Sequence, residues 1–211
     1  SQNHGFCVDI ASLSPSDPRR RHLESYRHIR DHALAAAADG ALGLVLLHWP
    51  VPGKRLDSWR ALRALQRDGR VRSIGVSNFL ERHLTELIED SGVVPAVNQI
   101  EFSPFLYQKG LLEFCRARGV QLESYGPLTQ GLRLSHPVVA ETAARLGRTP
   151  AQVLLRWAVQ HGVVVIPKSV RRERIAENSR LFDFSVPVAD MRRLDGLDEG
   201  LHTEWDPADV P

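Results

Sequence analysis

Cysteine is scarce in this chain of 211 residues, and neither Cys7 nor Cys115 belongs to a CxxC pair. Two isolated cysteines exclude a disulfide framework, so we expect a reduced, intracellular protein of the cytoplasm. No apolar run approaches the roughly 20 residues of a transmembrane helix. No secretory signal peptide is visible after the first residue, Ser1.

The chain also lacks a strong excess of charge of either sign. Its 27 basic and 25 acidic residues give a formal net charge of +2. This balance gives no electrostatic basis for binding nucleic acid or a membrane surface, so an anion-binding site must be local. No linker, low-complexity tract or charge block divides the sequence, and we expect a single domain over residues 1–211. No metal site is predicted.

Short apolar runs alternate with amphipathic segments along the chain. Apolar strands are typical of sheets buried on both faces, and strands alternating with helices indicate a parallel sheet. The pattern predicts five clear strand–helix units and a sixth at the N-terminus, with a strand in 6–13 and a helix in 23–40. The other strands are expected in 41–50, 71–79, 95–102, 120–128 and 163–170, and the helices in 57–69, 81–92, 109–119, 136–147, 149–162, 171–182 and 188–199.

Some helix ends carry capping signals. Asp57 is expected to cap the helix in 57–69, and Gly69 is expected to end it. Thr149 is expected to cap the helix in 149–162, because Pro150 suits the first helical position.

Two α/β folds fit this alternation, a doubly wound sheet and a (β/α)8 barrel. The GxGxxG fingerprint of a dinucleotide-binding doubly wound fold is absent, and so is a P-loop. Polar residues instead follow most predicted strands. The carboxyl ends of barrel strands meet at one face, where barrel active sites lie, so this distribution favours a barrel. The residues are His48, Ser77, Asn78, Gln99, Tyr125 and Lys168.

Five of these strand ends resemble, in order, the motifs of the aldo-keto reductases. Those proteins are (β/α)8 barrels that reduce aldehydes and ketones with NADPH. The resemblance extends over 41–199, and five motifs on successive strand ends are far more specific than one. The motifs are LLHWP (46–50), GVSNF (75–79), VNQIEFSP (97–104), SYGPL (124–128) and IPKSV (166–170).

The resemblance implies roles for individual residues around a nicotinamide. His48 matches the active-site histidine that donates a hydrogen bond to the substrate carbonyl, although a histidine after a buried strand is by itself more often structural. Trp49 and Trp205 are implied to contact the substrate, and Trp205 could equally pack on the barrel. The residues implied to hold the nicotinamide end of the cofactor are Ser77, Asn78, Gln99, Tyr125 and Leu128.

The stretch VVVIPKSVRRERIAEN (163–178) predicts an anion site. Lys168, Ser169 and Arg174 match the clamp for the 2′-phosphate of NADPH, a dianion suited to cations and hydroxyl donors. Glu177 and Asn178 match adenine-binding residues, and with Arg174 they share one helix face at i, i+3 and i+4. Without the preceding IPKS, this charged segment would be interpreted as a solvated helix face.

The sequence departs from the family near its N-terminus. The first two strands of the family, which carry the catalytic aspartate and the proton-donating tyrosine, are not recognisable, and Tyr26 falls on a predicted outer helix. Ser12 stands where the family has a lysine that lowers the pKa of that tyrosine. Gly126 replaces a common serine. We therefore expect about six of the eight units and weak or absent reductase activity.

Three hypotheses follow from these departures. The first is an NADPH-dependent aldo-keto reductase acting on a small carbonyl substrate. The second is a non-catalytic NADPH-binding sensor or regulatory subunit, and the third is an unstable truncated fragment. Unpaired barrel edges also favour self-association, because exposed strand edges pair with other chains.

Overall fold

The computed structural model describes residues 5–8, 41–204 and 206–210; for 5–8 and Asp209 only the backbone is described. The chain divides into two compact units. The first comprises Ser1–Gln99, Glu113–Gln121 and Pro207–Pro211, and the second Ile100–Leu112 and Leu122–Asp206.

The described residues form six strands and seven α-helices. The strands are β1 Gly5–Val8, β2 Leu42–Leu47, β3 Val71–Ser77, β4 Val97–Glu101, β5 Gln121–Tyr125 and β6 Val164–Val165. The helices are α1 Arg55–Arg67, α2 Glu81–Ser91, α3 Lys109–Ala117, α4 Pro137–Leu146, α5 Pro150–Gln160, α6 Arg172–Asn178 and α7 Val188–Asp195.

The strands of the first unit are parallel neighbours in chain order. β1 pairs with β2 from Gly5 opposite Leu44 onward. β2 pairs with β3 and β3 with the start of β4, where Ser77 lies opposite Gln99. Because every pairing is parallel, the strands β2, β3 and β4 point the same way and their carboxyl ends lie along the same edge of the sheet.

The first unit has a core between its strands and two helices. Trp59 and Leu62 of α1 and Leu84 of α2 are fully buried, together with Val45 and Val76 of the strands. The Trp59 indole N–H donates to the hydroxyl of Ser91 over 3.1 Å, so this large buried side chain keeps a polar partner.

In the second unit, β5 and β6 are also parallel, and α5 packs against β6. Phe102 and Trp157 stack with ring centroids 5.1 Å apart, and Tyr107 meets Trp157 edge to face at 5.2 Å. The Trp157 indole N–H donates to the carboxylate of Asp195 at 2.7 Å, which joins α5 to the end of α7.

Several local predictions are confirmed and others are wrong. Thr149 caps α5 by accepting from the Gln152 N–H at 3.3 Å, and Pro150 is the first helical residue, as predicted. Asp57 is not a cap, because α1 begins earlier, at Arg55. The carboxylate of Asp57 instead lies in the first turn and pairs with Arg60 at 2.9 Å.

The last predicted strand and the helix after it are shorter than expected. β6 spans only Val164–Val165, because the prolyl residue Pro167 has no N–H to continue a ladder. Helix α6 covers Arg172–Asn178 rather than 171–182.

The predicted helix in 23–40 and the positions of Ser12, Tyr26 and Trp205 lie outside the described residues. Among the residues that the structure describes, no helix is long and apolar enough to cross a membrane.

Candidate functional site

Four residues predicted to serve the active site are joined by hydrogen bonds in the first unit. The side-chain amide of Asn78 donates to the backbone carbonyl of His48 at 3.1 Å and to the Ser77 hydroxyl at 3.2 Å. The Ser77 hydroxyl donates to the backbone carbonyl of Gln99 at 2.9 Å. The Asn78 N–H donates to the same carbonyl at 2.9 Å. The ends of β2 and β3 and the middle of β4 are therefore joined by hydrogen bonds at the predicted residues.

The backbone of Asn78 is held in the left-handed region, with φ of 61°. Asparagine adopts this region more readily than most residues other than glycine. The left-handed turn ends β3 sharply, and the buried amide reaches back to β2. An asparagine in the GVSNF motif therefore has a structural reason beside its implied role in binding a cofactor.

Gly75 lets β3 approach its neighbours closely. A Cβ atom at this position would lie 2.6 Å from Leu46 Cδ2 and 2.7 Å from the carbonyl oxygen of Val97. Both distances are far below contact, so only glycine fits between β2 and β4 here. The glycine that opens the GVSNF motif thus sets the spacing of the strands that carry His48 and Gln99.

His48 and Trp49 directly follow β2 and are both half-buried. The Trp49 carbonyl accepts from the Val51 N–H at 2.9 Å, which turns the chain before α1. The structure thus places His48 at the strand end predicted for it.

Tyr125 is the last residue of β5 in the second unit, and Leu128 follows three residues later. Burial, together with the charges of Glu101 and Glu204, raises the pKa of the Tyr125 phenol above its ordinary value. A neutral aromatic ring at a strand end is suited to stacking on a planar ligand.

The predicted phosphate clamp is also in the second unit. Lys168 and Arg174 are exposed, and Ser169 is half-buried. The Ser169 hydroxyl accepts from the Arg171 N–H at 3.2 Å, just before α6. The cations of the IPKSVRRER stretch are thus solvent-accessible around a short turn, as a site for a phosphate dianion requires.

The two predicted adenine-binding residues lie on α6 in different surroundings. The carboxylate of Glu177 accepts from the Thr149 hydroxyl at 2.6 Å, which links α6 to the start of α5. Asn178 is buried, with 8% of its surface exposed, while Arg174 on the same helix is exposed. Their roles toward adenine stay predictions.

Sequence reasoning missed Glu101 and Thr203. Glu101 is buried at the end of β4, and its carboxylate accepts from the Thr203 N–H at 2.8 Å. One signal was available, because Glu101 follows Gln99 by two residues in a strand and so shares its face. Nothing local in the sequence indicated Thr203 as its partner.

Comparisons with known proteins identify the family. The chain matches the model of the Aldo/keto reductase family over residues 24–199. Since this match spans most of the chain, the protein belongs to the aldo/keto reductase family, and the predicted resemblance is confirmed.

Two similar curated proteins come from Bacillus subtilis (strain 168). An uncharacterized oxidoreductase, YtbE, is 46% identical over 166 residues, which are 79% of this chain and 59% of YtbE. A glyoxal reductase is 48% identical over 158 residues, which are 75% of this chain and 57% of that protein. The chain thus spans less than two thirds of the length of each.

Solved structures show the same fold. MGS-M4, an aldo-keto reductase from a Medee basin deep-sea metagenome library, has a TM-score of 0.87 at 28% identity, over 98% of this chain and 76% of MGS-M4. A mutant of Gox0644, solved in complex with NADPH, has a TM-score of 0.80 at 38% identity, over 98% of this chain and 75% of that one. The prediction of an α/β fold of the (β/α)8 barrel class is therefore confirmed, with six strands described here.

Proposed function

We propose that this chain binds NADPH and that its family chemistry is hydride transfer from NADPH to a small aldehyde or ketone in the cytoplasm. The observation that carries the proposal is the hydrogen-bonded group of Asn78, Ser77 and Gln99 beside His48. The donors of Ser77 and Asn78 are used within this group, which fixes the two side chains, and a side-chain amide oxygen is a suitable acceptor for the NH₂ of a nicotinamide carboxamide. NADPH is the ligand of the solved relative, the Gox0644 mutant.

The choice of NADPH over NADH rests on the clamp. Lys168 and Arg174 are exposed cations on either side of Ser169 in the sequence, and a guanidinium forms paired hydrogen bonds with phosphate oxygens. The extra 2′-phosphate of NADPH is the group that these residues would contact. NADH lacks it and gains nothing from them.

We further propose that the chain by itself reduces carbonyls weakly or not at all. The three tyrosines of the sequence are Tyr26, Tyr107 and Tyr125. Tyr107 packs among the rings of Phe102, Trp157 and His161. Tyr125 has a raised pKa, which makes its phenol a poorer proton donor. Loss of a general acid lowers a rate by roughly 10²–10⁴-fold.

The lack of a suitable tyrosine proton donor also favours a second function, a non-catalytic NADPH-binding sensor or regulatory subunit. Such a protein needs the nicotinamide and phosphate contacts but no proton donor. Robust reduction of 4-nitrobenzaldehyde by the pure chain would exclude it, whereas binding without turnover would support it.

Matched variants of α6 test the cofactor proposal. Arg174→Ala should weaken NADPH binding by roughly 10–100-fold, the value of one or two charge-assisted hydrogen bonds, and leave NADH binding unchanged. Arg172→Ala removes an exposed cation of the same helix outside the predicted clamp, and should change neither affinity by more than about twofold. Equal losses in both variants would mean that only general charge attracts the cofactor.

Self-association through a free strand edge is a further part of the proposal. Within the described residues of the second unit, β6 pairs only with β5. Exposed apolar side chains surround it, with Val164 at 46% and Ile166 at 42% exposure, beside an apolar cavity of about 620 Å³. Light scattering should report a species larger than 23.6 kDa, and Ile166→Lys should reduce it, because charge on an edge opposes pairing. A monomer at all concentrations would exclude the idea.

The third hypothesis is an unstable fragment. It differs from the first two in denying a cooperative fold, so cooperative unfolding in urea by the pure chain would exclude it.

A further inference from the structure

Glu101 is a buried carboxylate at the carboxyl end of β4, with 4% of its surface exposed. It accepts from the Thr203 N–H at 2.8 Å and from the Thr203 hydroxyl. The Glu204 N–H adds a longer contact of 3.4 Å. A buried charge is costly unless hydrogen bonds compensate for it, and all three of these donors come from one segment of the chain.

The same segment is held from a second direction. The Gln130 side-chain amide donates to the Thr203 carbonyl at 3.0 Å and to the Glu204 carboxylate at 2.8 Å. His202 lies between two carboxylates, with Nδ1 3.7 Å from Glu101 and Nε2 3.7 Å from Asp206. Residues 202–204, which we call the latch segment, are therefore fixed by side chains more than 70 residues earlier in the sequence.

The latch segment lies beside the end of β5. A Cβ atom added to Gly126 would be 3.5 Å from the Glu101 carboxylate and 3.7 Å from the Thr203 hydroxyl. The charges of Glu101 and Glu204 also act on the phenol of Tyr125. Carboxyl ends of parallel strands are where barrel enzymes bind ligands, so the segment borders the space next to Tyr125.

We propose that Glu101 is a positioning residue that fixes the latch segment beside Tyr125 and thereby limits the size of the carbonyl compound that the site accepts. The size limit rests on the proposed function, whereas the positioning does not. Without the carboxylate, the N–H groups of Thr203 and Glu204 lose their acceptor. The segment can then move away from β5, and a bulkier aldehyde gains room.

Hydrogen exchange of the backbone amides tests the positioning without any need for activity. Glu101→Ala should accelerate exchange at Thr203 and Glu204 roughly tenfold or more, because exchange follows local opening. Glu101→Gln keeps an acceptor oxygen and should restore most of the protection. Glu199→Gln removes an exposed carboxylate that pairs with Arg133 and should leave these two amides unchanged.

Thr203→Val serves where Glu101→Ala fails to fold, because it removes only the hydroxyl donor. This variant should accelerate exchange of the backbone amide at position 203 by roughly threefold. Exchange within twofold of the unaltered chain in every folded variant would overturn the positioning role.

The size limit is tested with propanal and 2-naphthaldehyde. Glu101→Ala should raise the ratio of 2-naphthaldehyde to propanal kcat/KM by roughly tenfold, through KM rather than kcat. If turnover is too slow to measure, the dissociation constants of the two aldehydes in the presence of NADP⁺ are compared instead of their kcat/KM values. An unchanged ratio in a chain that binds NADP⁺ would overturn the size limit. If no nucleotide binds to the unaltered chain, the proposed function fails and the size limit with it, while hydrogen exchange still decides the positioning.

Discussion

The side-chain amide of Asn78 donates to the backbone carbonyl of His48 across 3.1 Å, which joins the end of β3 to the residue after β2. The position of the predicted catalytic histidine therefore depends on an asparagine 30 residues later. Asn78 thus holds the backbone at His48, and the family resemblance also implies that Asn78 binds the cofactor.

Asn78→Gly should show how much the side-chain amide contributes to stability, because it leaves the backbone conformation unchanged. Glycine accepts φ of 61° without strain, so the change removes mainly the two donated hydrogen bonds. A buried hydrogen bond contributes roughly 1–3 kcal/mol when one partner is lost, so losing two should lower the free energy of unfolding by roughly 2–6 kcal/mol. Urea denaturation measures this change, and an unchanged midpoint would show that the Asn78 hydrogen bonds contribute nothing to stability.

Gly75→Ala should destabilise the first unit strongly. The added methyl group would lie 2.6 Å from Leu46 and 2.7 Å from the Val97 carbonyl, and overpacking of this kind costs roughly 1–3 kcal/mol or more. Gly196→Ala is the matched control, because Gly196 has φ of −80° and the atoms nearest to an added Cβ lie 3.6 Å away, so the change should alter the free energy of unfolding by less than about 1 kcal/mol. Equal effects in urea denaturation would contradict the close approach of the strands.

His83 should make stability depend on pH. It is buried, accepts from the Leu80 N–H and donates from Nε2 to the Val210 carbonyl at 3.0 Å. Burial lowers its pKa below the ordinary 6.5. Below pH 6.5 the unfolded chain gains a proton that the folded chain resists, so the free energy of unfolding should fall as pH drops through this range.

His83→Gln is the control for that prediction. Glutamine retains a donor and an acceptor but does not titrate, so the variant should lose part of the slope of stability between pH 6.5 and the lowered pKa. Equal slopes in the two proteins, measured by urea denaturation at several pH values, would show that His83 does not contribute.

Cys115 should resist alkylation as long as the chain is folded. Its thiol is fully buried, and burial raises its pKa to about 11. At pH 8 very little thiolate exists, and the reagent cannot reach it. Mass spectrometry of the Cys115 peptide after iodoacetamide treatment should show labelling only in denaturant. Rapid labelling in buffer would favour the hypothesis of an unstable fragment.

The regular parts of the fold were predictable because their signals are local. Alternating apolar runs and amphipathic helices predicted the order of β2 to β6, and Thr149 with Pro150 predicted the start of α5. The strand-end motifs predicted that polar residues gather at one face, and Ser77, Asn78 and Gln99 do lie together on neighbouring parallel strands.

The remaining features depend on contacts between distant residues. Glu101 and Thr203 are 102 positions apart, and no spacing rule connects them. The hydrogen bond from Thr149 to Glu177 was equally hidden, because it requires α5 and α6 to pack together. The predicted cap at Asp57 is wrong because an acidic residue also suits the first turn of a helix, where Asp57 lies.

Titration of the purified chain with NADPH, followed by tryptophan fluorescence and compared with NADH, tests the central claim most directly. The proposal predicts saturable binding near micromolar concentration, with NADPH favoured by roughly tenfold or more through Lys168, Ser169 and Arg174. Failure of both nucleotides to bind to a chain whose Cys115 is protected from alkylation would contradict the proposed cofactor site.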